Sequence, residues 1–134
     1  MSNDVQFRLL SWDDLRAFLT SEERKINRDV DRDVRLMNYV LYCEQTVEGF
    51  YLNDKLVGFA RWDRRSNHLS NIYVAQEARG NGIAKRFINE RKIKSLYVMP
   101  HNDIAKRLYS ALGFIKSSCT VPTREFMIRP LQSA

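Results

Sequence analysis

The stretch that most constrains the fold is Ile72-Tyr73-Val74-Ala75-Gln76-Glu77-Ala78-Arg79-Gly80-Asn81-Gly82-Ile83-Ala84. It reads as an apolar strand, a short loop with two glycines, and the start of an amphipathic helix. Glycine takes positive φ at no steric cost and lets a ligand come close to the main chain. The first turn of a helix carries unpaired N–H groups and the positive end of the dipole. Together these predict an anion site suited to a pyrophosphate. Other readings share part of that physics. A dinucleotide fingerprint GxGxxG needs a third Gly or Ala where this chain has Lys85, although Asp103 does lie about 20 residues further on. The Walker pattern GxxxxGK[ST] is absent. A glycine-rich strand–helix connection that binds nothing also stays open.

The rest of the chain sets the frame for this loop. At 134 residues and 44% apolar content, residues 1–134 are expected to form one domain with one sizeable core. No apolar run approaches the length of a membrane span, and the N-terminus lacks the basic and apolar regions of a secretory signal. Cys43 and Cys119 form no CxxC pair and have no His at metal spacing. We therefore expect reduced thiols, no metal and a cytoplasmic location. Charge is uneven. Residues 1–60 carry 8 Lys/Arg against 11 Asp/Glu, and residues 61–134 carry 14 against 5. A cationic second half fits an anionic partner such as a phosphorylated cofactor or nucleic acid, and equally a solvated basic surface.

Periodicity places the elements. Val5-Gln6-Phe7-Arg8-Leu9 alternates as a strand, and Ser11 is set to cap a helix carrying Trp12, Leu15, Phe18 and Leu19. Val30, Val34, Met37, Val40 and Leu41 predict one helix over about 27–44, with Arg28, Asp29, Arg32, Asp33 and Arg35 towards solvent. Strands over 47–52 and 56–63 flank the turn Asn53-Asp54-Lys55. A third strand runs from His68 to Val74, a helix from about Gly82 to Glu90, a strand from Ile93 to Met99, and a helix from Asn102 to Leu112 ended by Gly113. Residues 114–119 and 125–128 read as final strands. The fold class is α/β (α+β): a mixed, mostly antiparallel sheet of about six or seven strands, with about four helices on both faces.

Arg79-Gly80-Asn81-Gly82-Ile83-Ala84 fits the pattern Arg/Gln-x-x-Gly-x-Gly/Ala, and Asn102-Asp103-Ile104-Ala105-Lys106-Arg107-Leu108-Tyr109 followed by Gly113-Phe114 fits Asn-x-x-Ala-x-x-Leu-Tyr…Gly-Phe. In both motifs and their order the chain resembles the Gcn5-related N-acetyltransferases (GNAT). The likeness is strong from about Val57 to Phe114. Two departures stand out: Gln76 replaces the usual proline, and the helix after the loop has room for about three turns or fewer.

The resemblance implies an acyl-CoA-dependent N-acyltransferase in which an amine attacks acetyl-CoA directly. Cofactor contacts fall to Ile72, Tyr73, Val74, Arg79, Gly80, Asn81, Gly82, Ile83, Ala84, Lys85, Asn102 and Tyr109. The Val74 N–H would stabilise the oxyanion, and Tyr109 would protonate the leaving thiolate. Helix spacing puts Asn102, Ala105 and Tyr109 on one stripe towards the cofactor, and Ile104, Leu108 and Leu112 on a neighbouring stripe against the sheet. His68 is the first candidate for general base because its ordinary pKa suits the task. An exposed, inert histidine is the plainer reading, and Asp63 and Glu48 are weaker alternatives. The expected partners are acetyl-CoA and an amine acceptor, either a small molecule or a protein. Nucleic acid, aminoacyl-tRNA and a homodimer stay open. A non-catalytic relative binding an anionic partner through Arg61, Arg64 and Arg65 is the second reading.

Overall fold

The computed structural model describes residues 4–25, 32–117 and 124–130. Strand β1 (Val5–Leu9) leads into α1 (Trp12–Glu23), where the Ser11 hydroxyl accepts from the Asp14 N–H at 3.1 Å. Helices α2 (Arg32–Leu36) and α3 (Tyr39–Glu44) precede the meander β2 (Thr46–Leu52), β3 (Lys55–Asp63) and β4 (His68–Val74). A 3-10 turn at Gln76–Ala78, helix α4 (Ile83–Glu90), strand β5 (Ser95–Val98), helix α5 (Asp103–Ala111) and strands β6 (Ile115–Lys116) and β7 (Glu125–Ile128) complete the order.

The seven strands lie in one sheet in the order β1-β2-β3-β4-β5-β7-β6. Every neighbouring pair is antiparallel except β4 and β5. The β2–β3 turn is as tight as its sequence predicts, with Asn53 and Asp54 both at positive φ. Two apolar clusters fill the faces. One packs Leu15, Phe18, Leu19, Val34 and Met37 on Val47, Phe59, Tyr73 and Ala75. The other packs Ile83, Phe87, Ile88, Tyr109 and Phe114 on Phe50, Trp62, Leu69, Leu96 and Met127. Helices α1 and α2 thus cover one face and α4 and α5 the other. Among the described residues no helix is long and apolar enough to cross a membrane.

Two expectations change. The single helix over 27–44 is two helices from Arg32 on, and its earlier part lies outside the described residues, as does Cys119. Asn38 is extended (φ −145°, ψ 174°), and its side chain accepts from the Leu41 N–H at 2.9 Å. A capping asparagine offers the backbone a local alternative that outweighs continuing periodicity. Val40 is consequently exposed rather than part of a buried stripe. On α5, Ile104 is 82% exposed, not packed on the sheet. The stripe facing the core is Ala105, Leu108, Tyr109 and Leu112. At 100° per residue Tyr109 forms one edge of that stripe and Leu108 the other, and Ile104 falls about 40° beyond Leu108.

Candidate active site

The site begins where β4 leaves β5. Their parallel pairing is limited to His68 with Ser95 and Leu69 with Leu96. Beyond Leu69, β4 keeps only its β3 neighbour, so the sheet opens into a wedge. The Ala75 N–H donates to Val57 O on the β3 side at 2.7 Å. Successive amides of a strand point to opposite edges, so the N–H groups of Val74 and Ile72 face the gap. The side chains of Ile72 and Val74 pack towards the α4/α5 cluster that also holds Tyr109.

At the wide end of the wedge lies the double-glycine turn. Gly80 and Gly82 adopt φ of 84° and 70°, and a β-carbon at either position would meet nothing within 4 Å. The Asn81 side-chain Nδ2 donates to Ala78 O at 2.9 Å, which closes the turn. Gly82 is the N-cap of α4 and has no side chain to satisfy the first-turn amides of Ile83, Ala84 and Lys85. Ile83 is buried and anchors the helix, while the turn itself is exposed. Open, unsatisfied amides at a helix N-terminus fit a diphosphate, so the residues present suit CoA.

The remaining predicted cofactor residues take distinct places. Arg79 Nε donates to Val74 O at 2.8 Å, and the guanidinium lies 5.7 Å from the centroid of the Tyr73 ring, so Arg79 braces the end of β4. Tyr73 points its side chain to the opposite face, where its hydroxyl donates to Glu22 Oε1 at 2.7 Å. Only its main chain borders the wedge. Asn102 caps α5, accepting from the Ala105 N–H at 3.1 Å. Tyr109 is buried, with its ring 6.1 Å from that of Phe114.

The base candidates do not gather at the wedge's wide end. His68 stands at its joined end, about six strand residues or roughly 20 Å from Val74 and about 13 Å from Ile72. Its Nδ1 is 2.8 Å from Ser95 Oγ, and its ring packs on Tyr97 and Phe126. Direct proton transfer from an amine beside either amide is out of its reach, so a part for His68 in proton removal requires intervening water. Glu48 is fully engaged: its carboxylate accepts from Arg91 at 2.6 and 2.9 Å and from Trp62 Nε1 at 2.9 Å. Asp63 accepts from the Arg65 N–H in the β3–β4 turn, and that bond holds its pKa below the usual carboxylate range.

Burial holds the His68 pKa below its ordinary value; Arg124 and Arg61 push the same way and Asp63 opposes them. An unfolded histidine titrates near about 6.5. Between the lower folded value and that one, the unfolded chain binds more protons, so stability rises with pH. The contribution of the neutral ring is whole above about pH 6.5 and is lost as pH falls through the folded value. Urea midpoints measured at about pH 7.5 and 5.5 should fall less for His68→Gln than for the parent chain. An equal fall in both would show that His68 does not carry the effect.

The residue that sequence reasoning missed is Glu22, 2% exposed on α1. Its signal is present in the chain: Leu15, Phe18, Leu19 and Glu22 follow the i, i+3, i+4, i+7 spacing of a buried stripe.

The acetyltransferase (GNAT) domain family matches residues 36–116, from the end of α2 to β6. The chain belongs to this family. Its members are acyl-CoA-dependent acetyltransferases, and acetyl-CoA is the co-substrate. Solved structures share the fold. The ribosomal-protein-S18-alanine N-acetyltransferase of Escherichia coli is 20% identical with a TM-score of 0.62, over 98% of this chain and 96% of that one. The PaiA N-acetyltransferase of Thermoplasma acidophilum, solved with coenzyme A, is 18% identical with a TM-score of 0.65, over 96% and 99%. An acetyltransferase from Thermus thermophilus is 18% identical with a TM-score of 0.70, over 98% and 100%. At these identities the likeness is one of fold. A search of curated proteins found no match.

Proposed function

We propose that this chain, as one domain, moves an acetyl group from acetyl-CoA to a primary amine by direct attack, in the cytoplasm. The observation that carries the reading is the wedge: two strand amides turned into a gap that ends at an open, uncapped helix N-terminus. Acetyl-CoA supplies an activated acyl thioester. The main-chain amides from Gly80 to Lys85 hold its pyrophosphate, and Gly80 and Gly82 keep that surface free of side chains. The Val74 N–H donates to the carbonyl oxygen as negative charge grows there, with Ile72 holding the arm beside it. Tyr109 donates its proton to the departing thiolate. The attacking amine loses its proton to water, or to His68 through water.

The acceptor is proposed as a cationic amine, in keeping with the anionic balance of residues 1–60. One fold relative is an S18-alanine N-acetyltransferase, and another is a chimeric spermidine N-acetyltransferase. A peptide N-terminus and a polyamine therefore lead the panel of amines to be tried. The test is to incubate the protein with acetyl-CoA and the panel, follow free CoA thiol, and identify the product by mass spectrometry. Tyr109→Phe is expected to lower kcat by roughly 10- to 100-fold, with the KM for acetyl-CoA little changed. An unchanged kcat would remove Tyr109 from the chemistry. No acetylated product from any amine, by a protein that binds CoA, would reject transfer as its function.

A further inference from the structure

Glu22, Lys25, Tyr73 and Glu77 form a chain of contacts outside the wedge, on the face covered by α1. The Tyr73 hydroxyl donates to Glu22 Oε1 at 2.7 Å in a buried setting. Lys25 Nζ lies 3.1 Å from Glu22 Oε2 and 3.7 Å from Glu77 Oε1. Glu77 belongs to the 3-10 turn that leads into the glycine loop. A nearly fully buried carboxylate is costly, and a Phe–Leu contact at the same place would pack without that cost. What the polar pair adds is direction. Tyr73 sits between Ile72 and Val74, whose amides border the gap, and beyond Leu69 the strand is paired with β3 on one edge only.

We propose that Glu22 and Tyr73 are positioning residues: the buried phenol–carboxylate bond locks the end of β4 that β3 alone holds in the sheet, so that the Ile72 and Val74 amides stay aimed into the wedge. The inference rests on the reading of the wedge as the CoA site. The lock acts before any ligand arrives. Without it, only a fraction of molecules present aligned amides, and apparent affinity falls by that fraction.

The test uses the full chain, nitrogen-labelled, with CoA as the probe. Tyr73→Phe keeps the ring against Phe18 and Phe59, at centroid distances of 6.1 and 6.2 Å, and removes the hydroxyl that donates to Glu22. The expected results are broadened or doubled amide resonances of Ile72 and Val74 in the free variant, and a Kd for CoA raised roughly five- to tenfold. Glu22→Gln keeps an acceptor for the phenol and should stay close to the parent chain in both. Phe18→Leu loosens the same cluster without touching the bond; it should lower Tm while leaving Kd and the two resonances unchanged. Sharp, single Ile72 and Val74 resonances in Tyr73→Phe overturn the proposal. So does a Phe18→Leu variant that matches Tyr73→Phe in Kd, because packing alone would then account for it. If the parent chain fails to bind CoA, the wedge reading fails. The two resonances in the free variants then decide by themselves whether the bond orders the strand.

Discussion

Replacing Gly82 with glutamate is expected to abolish CoA binding in calorimetric titration, with affinity lowered by at least about 100-fold, or about 2.7 kcal/mol. Two effects add. Gly82 has φ of 70°, and an L-residue held there is strained by roughly 1–2 kcal/mol. A side chain at this position meets no protein atom within 4 Å, so it projects into the space at the helix N-terminus that a diphosphate would take. A carboxylate about 4 Å from a phosphate charge at a protein surface is opposed by roughly 4 kcal/mol. Folding should suffer little, because an acidic group at this end favours the α4 dipole and offsets part of the strain. Gly82→Ala separates the terms: it carries the strain without the charge and should weaken CoA by only several-fold. A Gly82→Glu protein that binds CoA within about threefold of the parent would refute the loop assignment.

Glu48→Ala should cost about 3 kcal/mol of stability, read as a fall in Tm of about 10 °C. One buried carboxylate serves two partners, the Arg91 guanidinium and the Trp62 indole N–H. Its removal leaves Trp62 Nε1 without an acceptor on a side chain that is 7% exposed, and an unsatisfied buried donor costs roughly 1–3 kcal/mol. It also strands Arg91. That side chain is 28% exposed, which allows some rehydration and keeps the cost near the low end for a broken buried pair. Glu48→Gln retains an acceptor for Trp62 and should lose about half as much. Activity at a temperature where the variant is folded should be close to the parent's, since Glu48 has no place in the proposed chemistry. Unchanged stability in Glu48→Ala would mean that the trio contributes little. A large loss of kcat in a fully folded variant would restore Glu48 as a base.

The contrast between these two residues bears on what a sequence can reveal. Gly82 is readable because its requirement is local: a positive φ and an absent side chain at the start of a helix are written in the residue itself and its immediate neighbours. The same holds for the Asn53-Asp54 turn and for β4 from His68 to Val74. Glu48 falls among the base candidates in sequence because its true role depends on Arg91 and Trp62, which lie 43 and 14 positions away. Glu22 escapes notice for the same reason, since its partner Tyr73 lies 51 positions along the chain. The broken helix at Asn38 shows the boundary from another side. A cap and a continuing stripe are both present in the residues, and local hydrogen bonding outweighs the pattern.

The chain's own residues thus determined the double-glycine turn, the order of strands and helices apart from the break at Asn38, and the family, because each depends on contacts spanning a few positions. Only the tertiary structure decided that β4 and β5 part after Leu69, that His68 stays at their joined end, and that Tyr73 turns its phenol to a buried glutamate. Those outcomes depend on which distant side chains pack together.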